Sequence, residues 1–146
     1  MAIPFPLKVK NLEGKTVNLS EAYPNQPLLL VFYNNQCLGC TGRALPFAYT
    51  LKNDFPGVNV IGIHCDFTSV ETSAEEIIDI FTSKSLPYPI YKDIDLNLYQ
   101  AFECEGTPHW ILLSKTGEVV NSIFGSQDGS QNRLVYALEE LGARGV

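Results

Sequence analysis

An apolar run that leads into two closely spaced cysteines decides the fold of this chain, and it reads Leu28-Leu29-Leu30-Val31-Phe32-Tyr33-Asn34-Asn35-Gln36-Cys37-Leu38-Gly39-Cys40. Six consecutive apolar residues followed by polar turn residues are typical of a strand that is buried on both faces. The segment from Cys37 to about Lys52 predicts a helix that ends before the turn signal Pro56-Gly57. The two cysteines therefore stand at the junction between a buried strand and a helix.

That junction gives the cysteines a chemical interpretation. Two residues between them allow both sulfurs to meet within one helical turn, and the free N–H groups of a helix N-terminus stabilise a thiolate. Because the thiolate is the form that attacks a disulfide, Cys37 is predicted to be the nucleophile and Cys40 the resolving cysteine. The alternative is half of a zinc site, but no second CxxC is present. His64 and Cys65 are adjacent on a predicted strand and would face opposite sides, so no metal site is expected.

The remaining pattern predicts an α/β fold with a central mixed β-sheet flanked by helices and an N-terminal β-hairpin. Strands are expected at residues 5–11, 15–18, 28–33, 58–63, 89–91, 110–113 and 118–124, and helices at 20–23, 37–52, 73–84, 96–102 and 130–141. No repeat or linker interrupts this order, and the whole chain, residues 1–146, is interpreted as one domain.

Composition excludes several classes of function. The formal net charge of −6 argues against nucleic acid as a partner, because phosphate binding needs a basic face. No apolar run approaches the roughly 18 residues of a membrane span. Residues 1–10 lack the pattern of an export signal, and two unpaired thiols are expected, so a cytoplasmic location is favoured. The alternative is a periplasmic or extracellular protein from which a signal segment was removed.

The sequence resembles the redoxin branch of the thioredoxin superfamily, in particular the TlpA/ResA-like thiol–disulfide oxidoreductases. The resemblance covers nearly the whole chain and is carried by Leu7–Leu19, Leu28–Cys37, Ala101–Pro108 and Ile111–Val120. It implies a thioredoxin-like fold and an enzyme whose redox-active CxxC pair cycles through a disulfide bond. The implied partners are protein disulfide or dithiol substrates and a redox partner protein, and no bound cofactor is needed.

The resemblance also implies roles for Thr107 and Pro108. Pro108 is expected to be cis and to lie against the cysteine pair, while Thr107 would touch the sulfurs and pair its backbone with an extended substrate. The chain departs from its relatives at Val31, where thioredoxin itself has a buried Asp. Pro46 lies six residues after Cys40, one further than in the relatives, so an irregular start of the helix is expected.

Three of four further residues have two interpretations each. Arg43 either modulates a cysteine by its charge or is simply a solvated helix residue. His109 either titrates near the sulfurs or is an exposed histidine at the start of a strand. Cys65 and Cys104 are expected to be buried and inert, although Cys104 would become a third thiol if it lay near the site.

Two other functions compete with disulfide exchange. A peroxiredoxin-like antioxidant enzyme would need a Thr or Ser at the position of Asn34 and a Pro at that of Leu30, so direct peroxide reduction is disfavoured. A non-catalytic binding module of the same fold is the second alternative, because fold resemblance alone does not establish function.

Overall fold

The structure, a computed structural model, describes residues 5–142. Part of the segment searched for an export signal, residues 1–4, lies outside the described residues, as do residues 143–146. The helices within 5–142 include none that is long and apolar enough to cross a membrane.

The described chain forms one mixed sheet with helices on both faces. The strands are β1 (Lys8–Lys10), β2 (Thr16–Asn18), β3 (Leu28–Tyr33), β4 (Asn59–His64), β5 (Ile90–Asp93), β6 (His109–Leu113) and β7 (Val119–Phe124). The helices are α1 (Leu19–Ala22), α2 (Leu45–Asp54), α3 (Ala74–Asp79), α4 (Asn97–Ala101) and α5 (Asp128–Leu141), and a π-helical turn at Cys40–Ala44 precedes α2. The predicted mixed sheet and N-terminal hairpin are confirmed.

The order of the strands is β2-β1-β5-β4-β3-β6-β7. Strands β3, β4 and β5 are parallel. On one side of them β6 pairs antiparallel with β3 and β7 pairs antiparallel with β6. On the other side β1 pairs antiparallel with β5 and β2 pairs antiparallel with β1. Strand β3 lies between β4 and β6 and is buried along its whole length. The carboxyl ends of the parallel strands meet at one edge of the sheet, and the two cysteines follow β3 at that edge.

The side chains of β3 point alternately into two separate hydrophobic cores. Leu29, Val31 and Tyr33 face the core that α2, α3 and α5 cover. Their neighbours Leu28, Leu30 and Phe32 face the core that α1 and α4 cover. Each buried apolar side chain of this size contributes about 1.5–3 kcal/mol relative to exposure, so both faces hold the strand in its register.

The helix that follows the cysteines begins irregularly, as the position of Pro46 predicts. The Leu45 N–H donates to the carbonyl of Cys40, five residues earlier, instead of making the usual four-residue bond. In a regular α-helix the Pro46 ring would collide with the carbonyl of Gly42. The wider π-helical turn accommodates the proline at the start of α2.

The predicted helix 73–84 is shorter than expected and ends at Asp79. It begins as predicted, since the Ser73 hydroxyl accepts the Glu76 N–H and the Glu76 carboxylate accepts the Ser73 N–H. Beyond Asp79 the hydroxyl-rich segment 82–85 makes local turns, because Ser side chains compete for backbone partners. Lys84 has a left-handed backbone with φ of 57°, which a helix does not permit.

Two buried tyrosines give a matched test of this core. The Tyr88 hydroxyl donates to the Leu45 carbonyl at 2.9 Å, whereas the buried Tyr33 hydroxyl has no hydrogen-bond partner among the described residues. We expect Tyr88→Phe to lower the free energy of unfolding by about 1 kcal/mol. We expect Tyr33→Phe to leave it unchanged or raise it, because an unpaired buried hydroxyl is costly. Urea unfolding of both variants measures the difference, and a larger loss for Tyr33→Phe would contradict this account.

Candidate active site

The loop between β3 and the cysteines is fixed mainly by the side chain of Asn34. Its Nδ2 donates to the Cys65 carbonyl at 2.7 Å, and its Oδ1 accepts the Gln36 N–H at 2.8 Å. Its backbone carbonyl accepts the Cys37 N–H at 3.0 Å. Asn is suited to this turn because its side chain replaces backbone partners. The position of Cys37 is therefore tied to the ends of both β3 and β4.

Cys37 caps the helical turn that carries Cys40. Its carbonyl accepts the Thr41 N–H at 3.1 Å, and its sulfur accepts the Cys40 N–H at 3.2 Å. The second contact is the one that a side chain at a helix N-cap makes. An N–H that points at a sulfur favours negative charge on it. Cys37 is half-buried, so its sulfur is within reach of a partner.

Cys40 has a different environment on the same turn. It is fully buried in the core that also contains Val31 and Tyr33. Burial raises the pKa of the Cys40 thiol to about 12, and the neighbouring Cys37 sulfur acts in the same direction. Val31 is an apolar residue of that core, so β3 contributes no carboxylate at this position. Cys40 therefore holds its proton at neutral pH.

The segment around Pro108 brings a second part of the chain to the cysteines. The Thr107–Pro108 bond is cis, as the resemblance implies, and the Cys37 sulfur donates to the Thr107 carbonyl at 3.4 Å. A Cβ placed on Gly39 would lie 3.8 Å from the Cδ of Pro108. The Thr107 carbonyl is thus in contact with Cys37, and Pro108 lies beside Gly39, between the two cysteines.

His109 is buried, so the expectation of an exposed histidine was wrong, and neither of the hydrogen bonds made by its ring reaches a sulfur. Its neighbour Trp110 packs in the same core as Cys40, so strand alternation turns His109 to the other face of the sheet. The buried ring accepts the Glu105 N–H at Nδ1 and contacts the Ser122 hydroxyl through Nε2 at 2.7 Å. Burial lowers the pKa of His109. Its effect on the site is to hold the backbone that leads to Thr107.

Arg43 contacts the loop between β7 and α5. Its Nε donates to the Ser126 carbonyl and its Nη2 to the Asp128 carboxylate, both at 2.9 Å. Its hydrogen bonds within residues 5–142 therefore lead to that loop instead of to a sulfur. Sequence reasoning did not find Ser126, which is buried beside Gly39. No local signal identifies it, because the contact joins residues far apart in the chain.

A buried histidine at the end of β4 is hydrogen-bonded to the loop before the cysteines. His64 Nε2 accepts the Asn35 N–H at 3.2 Å, so the neutral ring carries its proton on Nδ1, which lies 3.6 Å from the Asp66 carboxylate. The sequence provided a signal, since a polar residue at the carboxyl end of a buried parallel strand is often near a site. His64 had been considered only as a metal ligand.

The other two cysteines belong to the opposite core. Cys65 is buried and Cys104 is half-buried among the residues that α1 and α4 cover. Burial raises the pKa of both thiols, that of Cys104 to about 12. The placement of Cys104 is that of a core thiol and not of a third thiol beside Cys37. No group of three or more His, Cys, Asp or Glu residues suited to a metal ion occurs within the described ranges.

Comparisons with known proteins give a consistent relationship. The profile described as the AhpC/TSA family matches residues 2–122. The thiol-disulfide oxidoreductase ResA of Halalkalibacterium halodurans is 27% identical over 142 residues, which are 96% of this chain and 74% of that protein. The thioredoxin-like protein SkfH of Bacillus subtilis is 26% identical over 98 residues, 67% of this chain and 68% of that protein.

A solved structure extends this relationship to the fold. The exposed lipoprotein thioredoxin of Streptococcus pneumoniae superposes with a TM-score of 0.73 at 18% identity, covering 93% of this chain and 99% of that one. The chain therefore has a thioredoxin-like fold, as expected, and is related to the thiol–disulfide oxidoreductases.

The buried histidine makes the stability of the protein depend on pH. Burial lowers the pKa of His64 from 6.5 to about 4, although the nearby Asp66 acts in the opposite direction. Between these values the unfolded chain binds a proton that the folded chain does not, so stability falls as the pH falls. We expect the wild type to lose about 2 kcal/mol more than His64→Gln between about pH 7 and about pH 4.5.

Denaturant unfolding of both proteins at the two pH values measures this difference. Carboxylates whose pKa is lowered by groups other than His64, such as that of Glu71, are common to both proteins and cancel in the comparison. Equal losses in the two proteins would show that His64 is not a neutral buried acceptor for Asn35.

Proposed function

Because the chain belongs to the AhpC/TSA family, we propose that it is a single-domain thiol–disulfide oxidoreductase that exchanges protein disulfides through Cys37 and Cys40. One observation carries the proposal. Two cysteines share a helical turn, but one sulfur is half-buried and faces the Thr107 carbonyl while the other is fully buried. This inequality supports a different step of one reaction for each cysteine.

In the first step the Cys37 thiolate attacks one sulfur of a substrate disulfide. A Cys37–substrate disulfide forms, the substrate S–S bond breaks, and the second substrate sulfur leaves as a thiolate that takes up a proton. In the next step Cys40 loses its proton and attacks the Cys37 sulfur. The Cys37–Cys40 disulfide forms, the bond between Cys37 and the substrate breaks, and the released substrate sulfur takes up a proton, so the substrate leaves as a dithiol that has gained two electrons. A partner dithiol restores the pair by the reverse sequence.

The contact between Thr107 and Cys37 supports a protein as the substrate. A backbone carbonyl beside the nucleophile can pair with an extended peptide in the manner of strand addition. Leu38, between the two cysteines, is 86% exposed and adds an apolar contact for that peptide. The relatives named as thiol–disulfide oxidoreductases support protein thiols as partners.

The similar structure from Streptococcus pneumoniae is that of an exposed lipoprotein. We therefore favour the periplasmic or extracellular alternative for this chain, and the cytoplasmic expectation gains no support. In such a compartment a reactive dithiol needs a dedicated partner that supplies or accepts electrons.

Trapping the mixed disulfide tests the assigned steps. With insulin as the protein disulfide, we expect Cys40→Ser to accumulate a covalent Cys37–insulin adduct, because the resolving sulfur is absent. We expect Cys37→Ser to form none, since the remaining thiol of the pair is buried and protonated. Mass spectrometry of alkylated samples identifies the adduct and the cysteine that carries it.

Cys104→Ser is the matched control, because it removes a half-buried thiol on the opposite face of the sheet. It should reduce insulin at the wild-type rate. Full turnover by Cys37→Ser would overturn the proposal. A purified wild type that holds zinc and leaves insulin intact would support the binding-module alternative instead.

A further inference from the structure

The site is assembled from two segments that are far apart in sequence, the helical turn at Cys37–Cys40 and the loop at Thr107–Pro108. A third segment contacts both of them. It consists of residues 125–127, between β7 and α5, and is called the β7–α5 loop below. Its contacts are hydrogen bonds made by the backbone groups of Gly125 and Ser126, so they can hold the two halves of the site in register.

On one side the loop is joined to the Pro108 segment. The Gly125 N–H donates to the Pro108 carbonyl at 2.9 Å, and Trp110 Nε1 donates to the Gly125 carbonyl at 2.9 Å. Gly125 has a φ of +108°, and a Cβ at this position would lie 3.0 Å from the Ser130 hydroxyl. Only glycine adopts this backbone without strain, so the loop reaches Pro108 because residue 125 has no side chain.

On the other side the loop is joined to the helix that carries the cysteines. Arg43 Nε donates to the Ser126 carbonyl at 2.9 Å, and Gln131 Nε2 approaches the same oxygen at 3.4 Å. Ser126 is only 5% exposed, and its hydroxyl lies 3.0 Å from the position that a Cβ on Gly39 would occupy. The loop therefore packs directly against the residue between Leu38 and Cys40.

The charge of Arg43 is the smaller part of its effect. Its ion pair with Asp128 joins side chains that are 45% and 89% exposed, and pairs of this kind contribute about 0–1 kcal/mol. The bond from Nε to the carbonyl of a buried residue is stronger, because the loss of a donor leaves that carbonyl poorly paired. A lysine has the same charge but lacks the planar fork that contacts two acceptors at once.

We propose that Arg43 is a positioning residue that fastens the β7–α5 loop across the two halves of the site and so keeps Thr107 in register with Cys37 for pairing with a protein substrate. This inference rests on the proposed disulfide exchange. Arg43 touches no reacting atom; it acts through Ser126, Gly125 and Pro108. A protein disulfide needs the backbone of Thr107 as well as the sulfur, whereas a small disulfide needs only the sulfur.

Two assays on the same variants test this role. For Arg43→Gln and Arg43→Lys we expect kcat/KM with insulin to fall about tenfold, the equivalent of one lost hydrogen bond. We expect the reaction of Cys37 with 5,5′-dithiobis(2-nitrobenzoate) to stay within about twofold of wild type, with an unchanged pH profile. Both variants change an exposed side chain, and Arg43→Lys retains the charge and most of the chain, so folding is maintained.

Arg133→Gln is the matched control, since it removes an equal charge from an exposed position on α5. It should leave both reactions unchanged. Asp128→Asn removes the ion pair but not the Ser126 bond, and it should change the insulin reaction by less than about twofold.

The remaining outcomes separate the alternatives. A shifted pH profile with the small disulfide in Arg43→Gln, but not in Arg43→Lys, would overturn the proposal and show that Arg43 acts on a sulfur by charge. Equal activity of all variants with insulin would also overturn it, as would a full loss in Asp128→Asn. A wild type that reacts with neither disulfide would refute the proposed function itself.

Discussion

Burial of β3 on both faces is the constraint on which the rest of the structure depends. Every residue from Leu28 to Tyr33 is covered, three by each core, so the strand cannot shift without exposing one set. The chain emerges from the sheet only at the carboxyl end of β3. Because β4 runs parallel beside it, the end of β4 arrives at the same edge and supplies His64 and Cys65 to the loop. The two cysteines therefore lie just beyond the end of the central strand.

The difference between the two cysteines follows from the same burial. The helical turn after β3 points back over the core, so its first residue stays at the rim while the residue three positions later enters the core. Cys37 therefore receives an N–H and a partner carbonyl at the surface, whereas Cys40 is surrounded by apolar side chains that raise its pKa. A pair with equal exposure would have no preferred order of attack. In the proposed reaction the packing of the sheet sets that order, and none of the described hydrogen bonds brings a charged side chain to the sulfurs.

Local patterns predicted most of the fold, and the features that they missed have two different causes. The buried strand, both hairpins and the irregular helix at Pro46 depend on neighbouring residues, and each was predictable. The early end of α3 was not, because it depends on how the hydroxyl groups of 82–85 bond locally. The contacts of His109 and Arg43 were not predicted for a different reason. Their partners, Ser122 and Ser126, are distant in sequence, and no spacing rule indicates which of many serines will be adjacent.

Membership of the AhpC/TSA family does not by itself decide between disulfides and peroxides, so the decision depends on the loop before Cys37. A peroxide-reducing site would present a hydroxyl at the position of Asn34. Both polar atoms of the Asn34 side chain are instead hydrogen-bonded, Nδ2 to the Cys65 carbonyl and Oδ1 to the Gln36 N–H, and these bonds hold the loop. The group that faces the Cys37 sulfur is the Thr107 carbonyl, an acceptor suited to a peptide N–H, in keeping with the proposed exchange of protein disulfides. Under the proposed disulfide exchange, the turns that surround the strands are therefore what would suit this chain to an extended protein segment.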